Sequence, residues 1–329
     1  MSDLIITRTP YRISLGGGGT DLPFYCRENE GFLITAAINQ YCTISVSFRE
    51  LDKKILTQTT EVQFSDKLDD LNNGIIRECL RYFKIKNSIQ VATFTTLPTG
   101  IGLGTSSTLT VGLVNALCKI KDLKKSKIEM AEIAYKIERE ILGWEGGVQD
   151  QYIASIGSLI KMTINNISDV KVERLLINED IKKILEQSLL LIYSEQKRDS
   201  HDIIESQNID EKKTINIYHK IKNLGYKSVK PIMNGDVQKI GEIMDEHWAI
   251  KKSISNKISN TRLDDTYKEL KSFGSPGGKI IGAGGGGFFM MAVPKNIDHY
   301  KKLIKDRGYK TLDWSFDNLG THKINKLGY

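Results

Sequence analysis

A strand, a glycine-rich turn and a helix follow one another in residues 88–117. The turn holds three glycines and then three hydroxyl side chains: Gly100, Gly102, Gly104, Thr105, Ser106 and Ser107. Apolar residues continue at helical spacing, so we expect a helix to begin near Ser106. Glycines let backbone N–H groups approach an anion closely, and a helix N-terminus adds unpaired donors. The sequence therefore predicts a phosphate-binding loop, although a capped turn before a core helix would give the same pattern.

Two common nucleotide-binding motifs do not account for this turn. No lysine follows the glycines, as it would in the P-loop pattern GxxxxGK[ST]. The first helix does not open on GxGxxG with an acidic residue ~20 positions further on, which disfavours a dinucleotide-binding fold.

A second glycine run lies near the N-terminus. Residues 4–15 are predicted to form a strand in which Arg12 and Ser14 share one face, and four glycines and Asp21 follow. Such a run permits close approach of the backbone to a ligand, and the Asp21 carboxylate can accept bonds from sugar hydroxyls. A flexible turn is the alternative interpretation.

Two acidic residues stand out in the first half of the chain. Residues 127–142 have a helical pattern, and Glu138 lies on its apolar, core-facing side, where an acid needs a cation or a partner. A local pair with Arg or Lys would also satisfy it. Asp150 follows a glycine-rich stretch and falls in the first turn of a short helix, where the helix dipole favours its charged form. Simple capping of that helix is the alternative.

The second half begins, on our prediction, near Asp180, which gives domains 1–180 and 181–329. It contains a strand at 188–194, helices at 211–223, 236–254 and 262–273, and a strand–turn–strand unit at 277–293. The turn of this unit carries four glycines, Gly284 to Gly287. Side-chain-free backbone of this kind faces either another backbone or a ligand. Strands and helices in this order predict an α+β fold.

The length and charge of the chain narrow the functional classes. A chain of 329 residues predicts about two domains. The net charge of +7 is scattered, with no basic patch interleaved with aromatic residues, so we expect no nucleic-acid partner. No apolar run approaches the ~20 residues of a membrane helix, and the four cysteines form no CxxC pair. We expect a cytoplasmic enzyme with reduced cysteines and no membrane partner.

The three glycine-dense loops together resemble the GHMP kinase superfamily along essentially the whole chain. The family motif PxxxGLGSS is similar to PTGIGLGTS at Pro98–Ser106, with Thr105 as a departure, and the C-terminal family motif is similar to KIIGAGGGG at Lys279–Gly287. The resemblance implies a ribosomal protein S5 domain 2-like N-terminal domain and a ferredoxin-like C-terminal domain, with the active site in the cleft between them. It implies that ATP binds at Pro98, Gly100, Gly102, Leu103, Gly104, Thr105, Ser106 and Ser107.

The same resemblance implies roles for residues outside the nucleotide loop. YRISLGGGGTD at Tyr11–Asp21 corresponds to the family's N-terminal pattern and implies that Arg12 lies at the reacting centre. IERE places Glu138 at the Mg²⁺ position, and GVQDQY places Asp150 at the residue that accepts or orients the hydroxyl proton. Mg²⁺ would be held by the Glu138 carboxylate and one hydroxyl, that of Thr105 or Ser106. The implied substrate contacts are Gly17, Gly18, Gly19, Thr20, Asp21, Gly284, Gly285 and Gly286.

One subgroup of the family is especially similar at its N-terminus. RTPYRISLGGGGTDLPFY at Arg8–Tyr25 is similar to sugar kinases that phosphorylate the anomeric hydroxyl of D-glycero-D-manno-heptose 7-phosphate. This implies a 1,7-bisphosphate product for nucleotide-activated heptose in capsule, LPS or S-layer glycans. A cationic pocket for the sugar's phosphate is expected, with Arg198 as first candidate, followed by Lys251 and Lys252. A homodimer is compatible with this interpretation.

Two other functions remain open at this point. A galactokinase- or fucokinase-like enzyme would use the same ATP machinery, although Gly18 and Gly19 replace a Glu-His pair of true galactokinases. A non-catalytic regulator that binds sugar and ATP is the second alternative, but both acids, Glu138 and Asp150, are present.

Overall fold

Two β-sheets form the framework of the protein, which a computed structural model describes over residues 4–196, 200–207 and 211–324. The first seven strands and the last form an eight-stranded sheet, and the other four form an antiparallel sheet. In chain order the strands are β1 (Ile5–Gly16), β2 (Gly31–Phe48), β3 (Ile55–Gln58), β4 (Val62–Ser65), β5 (Ile89–Thr95), β6 (Leu159–Asn166), β7 (Asp169–Arg174), β8 (Leu189–Tyr193), β9 (Gly277–Ile280), β10 (Phe288–Ala292), β11 (Thr311–Leu312) and β12 (His322–Lys323).

Helices cover these sheets and carry most of the site residues. The first five lie in the N-terminal half, and the long α8 and α9 pack against each other. In chain order they are α1 (Pro23–Cys26), α2 (Gly74–Tyr82), α3 (Thr105–Ile120), α4 (Lys127–Tyr135), α5 (Gln149–Ile156), α6 (Glu179–Ser188), α7 (Ser200–Glu205), α8 (Glu211–Asn234), α9 (Val237–Lys252), α10 (Thr261–Ser272) and α11 (Ile297–Asp306). The mixture confirms the α+β prediction.

Strand β2 organises the first sheet and corrects one expectation. The sequence suggested two strands, 32–38 and 42–48, joined by residues 39–41. They form one strand, which pairs with β1 from residue 34 to residue 46 with a register shift at residues 39–40, and with β6 at its start and β5 at its end. Residues 39–41 contain no glycine or proline, and β1 pairs with β2 on both sides of the irregularity at residues 39–40, so the strand continues through it.

Helix α3 is buried on almost all sides against the first sheet. Gly112 permits this close packing: a Cβ there would lie 2.7 Å from both Ile44 Cδ1 and Thr9 Oγ1. The Thr7 hydroxyl also donates to the Gly112 carbonyl at 2.9 Å. Close packing against β1 and β2 fixes the helix, and with it the glycine-rich turn at its N-terminus.

The helix predicted over 127–142 changes character halfway. Ser126 and Glu129 form a capping box at the start of α4, which ends at Tyr135, and residues Lys136–Ile141 continue as a π-helical segment. The wider turn leaves Glu138 completely buried, as its position on the apolar stripe predicted. The predicted domain boundary near residue 180 stays a prediction. The larger apolar core joins residues of both sheets, such as Ile13 and Met290.

The C-terminal segment connects the two sheets again. Residues 311–312 form β11 in the four-stranded sheet, and residues 322–323 form β12 beside β1. All four cysteines are buried and unpaired. No helix in the described part of the chain is both long and apolar enough to cross a membrane.

Candidate active site

A cavity of about 560 Å³ lies between the two halves of the chain and collects most of the predicted site residues. Its walls come from β1, the three loops before α1, α3 and α5, and from α9 and β9. The predicted residues that line it are Arg12, Gly18, Gly19, Asp21, Gly100, Gly102, Gly104, Thr105, Ser106, Ser107 and Asp150. Segments more than a hundred residues apart in sequence therefore meet at one place.

The glycine-rich turn adopts a backbone that favours glycine. Gly100, Gly102 and Gly104 have φ values of +77°, +80° and +77°, which side-chain-bearing residues rarely adopt. Helix α3 starts directly after Gly104, and no side chain caps it. Its first N–H groups stay available beside the cavity, which suits the oxygen atoms of a phosphate.

Arg12 and Asp150 form a bidentate ion pair at the centre of the site. Arg12 Nε donates to Asp150 Oδ1 at 2.7 Å, and Nη2 donates to Oδ2 at 2.8 Å. The third arginine nitrogen donates to the carbonyl of Gly102 at 2.6 Å. Gly104 lies against the same pair, since a Cβ there would be 3.2 Å from Asp150 Oδ2. The pair is therefore held directly beside the glycine-rich turn.

Asp21 is buried next to this pair. Its carboxylate accepts a bond from the backbone N–H of Gln149 at 3.0 Å. Burial raises the pKa of Asp21, and the negative charge of Asp150 adds to the effect. Gly147 is required beside it, because a Cβ at that position would lie 2.0 Å from Asp21 Oδ2.

Glu138 lies one layer deeper than the cavity wall and accepts hydrogen bonds there. Ser107 donates to it at 2.8 Å, Gln151 donates at 2.6 Å, and the hydroxyl of Thr110 donates as well. Arg139 lies 3.4 Å away. Ser107 lines the cavity and so connects Glu138 with it.

The donor set fits Mg²⁺ in its chemistry, because carboxylate and hydroxyl oxygens are the hard ligands that this ion prefers. Of the predicted ligands, Thr105 and Ser106 line the cavity and Glu138 lies behind Ser107. Ser107 is the residue that the sequence assigned to ATP alone. Within the described residues there is no cluster of three or more His, Cys, Asp or Glu side chains suited to a metal.

Three consecutive residues at the start of α5 serve the site in different ways. Gln149 binds Asp21, Asp150 pairs with Arg12, and Gln151 binds Glu138. Sequence reasoning singled out only Asp150. The sequence signal that could have indicated the other two was a short helix that follows a glycine-rich stretch and carries polar side chains at consecutive positions of its first turn.

Some residues that were predicted to contact a ligand do not line the cavity. Thr20 is buried and donates to the carbonyls of Gly17 and Phe32, both at 2.9 Å. Gly17 packs on β2, Leu103 is fully buried, and Pro98 is exposed outside the cavity wall. These residues shape the two loops.

Gly284, Gly285 and Gly286 also lie outside the cavity wall. A Cβ at Gly284 would meet Ile258 at 2.8 Å, and one at Gly286 would meet the Gln196 carbonyl at 2.6 Å. The next glycine, Gly287, packs against the backbone of the nucleotide loop in the same manner. Their predicted contact with a sugar therefore finds no support in their position. The C-terminal motif lines the cavity with Lys279, Ile280, Gly282 and Ala283 instead.

The candidates for binding a substrate phosphate have different positions. Arg198 lies outside the described residues. Lys252 pairs with Asp264 at 2.8 Å and does not line the cavity, whereas Lys251 lines it. Sequence reasoning missed His247 and assigned no role to Lys279, and both line the cavity.

Burial shifts the pKa of two of these basic groups. The pKa of Lys279 is lowered to about 7 by burial, and the charge of Arg12 contributes. Burial also lowers the pKa of His247 well below its ordinary value, and the charges of Lys279 and Lys251 lower it further.

Comparison with known proteins finds two family models and several similar chains. The model of the GHMP kinases N terminal domain matches residues 72–158, and that of the GHMP kinases C terminal domain matches residues 228–299. The chain is 34% identical to a D-glycero-alpha-D-manno-heptose 7-phosphate kinase from Campylobacter jejuni, over 96% of this chain and 97% of that protein. It is 26% identical to a bifunctional fucokinase/GDP-fucose pyrophosphorylase from Arabidopsis thaliana, over 89% of this chain and only 30% of that protein.

Solved structures show the same fold. A D-glycero-D-manno-heptose 1-phosphate kinase from Bacteroides thetaiotaomicron superposes with a TM-score of 0.82 at 24% identity, over 98% of this chain and all of that one. A putative sugar kinase from Campylobacter jejuni gives a TM-score of 0.77 at 30% identity, over 98% of each chain.

Proposed function

Because this chain belongs to the GHMP kinase family, and is therefore a phosphotransferase with an alcohol acceptor, we propose that it transfers the γ-phosphate of ATP to the anomeric hydroxyl of D-glycero-D-manno-heptose 7-phosphate. The product would be the 1,7-bisphosphate. The observation that carries this proposal is the Arg12–Asp150 pair, which lies beside the glycine-rich turn in a cavity that His247, Lys251 and Lys279 also line.

The geometry suits phosphoryl transfer, in which the protein mainly positions the reactants and offsets negative charge. Backbone N–H groups at the start of α3 would bind the β- and γ-phosphates of ATP. The acceptor hydroxyl would lie at Asp150, which accepts or orients its proton. Arg12 holds the Asp150 carboxylate in place through two hydrogen bonds and supplies positive charge beside the moving group.

Asp21 and the glycines beside it would bind the sugar. The Asp21 carboxylate is anchored by Gln149, so its orientation is fixed before the sugar arrives. Gly18 and Gly19 leave the cavity wall free of side chains at this point.

Thr105, Ser106 and Glu138, together with Ser107, would hold Mg²⁺. When bound, Mg²⁺ would neutralise charge on the triphosphate. The chain's own part is to orient the Glu138 carboxylate, through donors from Ser107 and Gln151.

The choice of sugar is supported by the Campylobacter jejuni relative, which is named a heptose 7-phosphate kinase and is 34% identical over nearly the whole chain. We further propose that the reaction takes place in the cytoplasm and supplies nucleotide-activated heptose for capsule, LPS or S-layer glycans. Its partners would be ATP, Mg²⁺ and the sugar phosphate, and a homodimer is compatible with this role.

A substrate panel tests the proposal. With Mg²⁺ and ATP, the protein should phosphorylate heptose 7-phosphate in preference to heptose, mannose, galactose and fucose. Phosphorus NMR of the product should show a phosphate on C1 and a second on C7. Turnover of an unphosphorylated sugar with higher kcat/KM, or new phosphate at any carbon but C1, would refute this substrate assignment.

A fucokinase-like activity is the second candidate. The Arabidopsis thaliana relative carries this name and aligns with 89% of the chain. Efficient phosphorylation of fucose in the same panel would favour it. If the protein binds ATP and sugar but phosphorylates no sugar of the panel, the non-catalytic regulator would be favoured instead.

A further inference from the structure

Three basic side chains line the cavity together. His247 and Lys251 lie on α9, and Lys279 lies on β9. All three are buried, with exposed fractions of 3%, 7% and 4%. We call this group the basic wall.

Helix and strand geometry bring the three residues together. His247 and Lys251 are four residues apart and so share one face of α9, which packs on β9. Lys251 Nζ donates to the carbonyl of Gly282 at 2.6 Å, which holds its amine at the end of β9. The lysine charges act on His247, and the charge of Arg12 acts on Lys279, so the wall extends towards the reacting centre.

Two carboxylates of the cavity are already bound by other groups. Asp150 is paired with Arg12, and Asp21 accepts from Gln149. In residues 4–196, 200–207 and 211–324, Lys279 forms no ion pair. Buried basic groups are costly unless an anion compensates them, and lining a cavity gives such an anion access.

We propose that the basic wall of His247, Lys251 and Lys279 binds the phosphate that the acceptor sugar already carries. This inference rests on the proposed function, because it concerns the same acceptor. A sugar with its hydroxyl at Asp150 would extend its phosphate past Arg12 to the basic wall. The triphosphate of ATP would have separate donors, the first N–H groups of α3.

The wall would give the enzyme its preference for phosphorylated sugars. A phosphate monoester offers several oxygens to the amines and the imidazole, in charge-assisted hydrogen bonds. An unphosphorylated sugar would bring no such anion to the buried Lys279 amine. Specificity would follow from this difference between the two acceptors.

Lys279→Met tests the proposal, with Lys239→Met as the matched control. Methionine keeps the length of the side chain and removes only the amine. Lys239 lies on α9 but is exposed and pairs with Glu242. For Lys279→Met, kcat/KM for heptose 7-phosphate should fall about 30-fold or more. The kcat/KM for unphosphorylated heptose and the KM for ATP should change less than about 2-fold, since neither contact is lost.

Several results would overturn the inference. An equal loss with both acceptors would place Lys279 in a general structural role, and a raised KM for ATP would assign the wall to the nucleotide. If Lys279→Met does not fold, as judged by circular dichroism, Lys251→Met takes its place with the same expectation.

A binding measurement separates this inference from the proposed function. With the nucleotide site saturated by a non-hydrolysable ATP analogue and Mg²⁺, calorimetry should detect inorganic phosphate binding to the wild type and to Lys239→Met. Lys279→Met should bind it about 10-fold more weakly or not at all. Phosphate binding that depends on Lys279 supports the wall even if heptose 7-phosphate is not a substrate. Turnover of heptose 7-phosphate that does not depend on Lys279 refutes the wall and leaves the function intact.

Discussion

Replacing Lys279 with methionine should stabilise the ligand-free protein at neutral pH, although the same change should impair binding of a phosphorylated acceptor. Burial, together with the charge of Arg12, lowers the pKa of Lys279 from 10.5 to about 7. Because one pKa unit corresponds to about 1.4 kcal/mol, keeping this lysine charged in the folded state costs up to about 5 kcal/mol below pH 7. Methionine removes that cost and fills the same volume.

The sign of the pH dependence follows from the direction of the shift. Between pH 7 and 10.5 the unfolded chain binds more protons at Lys279 than the folded chain, so the free energy of unfolding of the wild type rises with pH. The variant lacks this titration. The stability advantage of Lys279→Met should therefore be largest below pH 7 and shrink by about 1.4 kcal/mol per pH unit above it.

Urea unfolding at half-unit steps from pH 6 to 9.5 measures this difference, in buffers free of phosphate and sulfate so that no anion fills the cavity. Lys301→Met, an exposed lysine on α11, is the control and should show no such trend. A Lys279→Met advantage that stays constant across the range, or a variant that is less stable than the wild type at pH 6.5, would refute the reasoning.

Three further changes test individual parts of the site. Asp150→Asn should lower kcat by about 10² or more while the KM for ATP changes little, and near-normal turnover would remove Asp150 from its role. Gly147→Ala should raise the KM for the sugar about 10-fold or more, because the new Cβ would displace Asp21, whereas the control Gly74→Ala should leave this KM unchanged. Equal KM values for the two variants would contradict the contact between Asp21 and the sugar. Glu138→Gln should raise the Mg²⁺ concentration needed for half-maximal rate about 10-fold, and an unchanged Mg²⁺ titration would exclude this carboxylate.

The local features of the fold could be predicted from the sequence because short-range chemistry controls them. Glycines at 100, 102 and 104 predicted a turn with unusual backbone angles, and the structure has φ near +80° at all three. The apolar stripe predicted that Glu138 faces inward, and its complete burial confirms this. The start of a helix near Ser106 was likewise placed within one residue.

Other features depended on contacts that sequence spacing does not contain. The two strands predicted around residues 39–41 proved to be one, because β1 pairs with both of them on either side of an irregularity at residues 39–40. Glu138 binds Ser107 and Thr110, whereas the resemblance had implied Thr105 and Ser106 as its companions at the metal. Arg198, the first candidate for the substrate phosphate, lies outside the described residues.

The sequence by itself determined where the backbone can turn tightly, which acids face inward and which family the chain resembles, since these follow from residue type and period. Only the tertiary structure decided that Arg12 pairs with Asp150 and that His247, Lys251 and Lys279 meet in one cavity. Those contacts join residues separated by up to 138 positions and depend on how the two sheets pack. The packing of the shared apolar core sets that arrangement. Because burial of apolar surface is not directional, residue type and spacing do not predict which polar side chains meet once the sheets have packed.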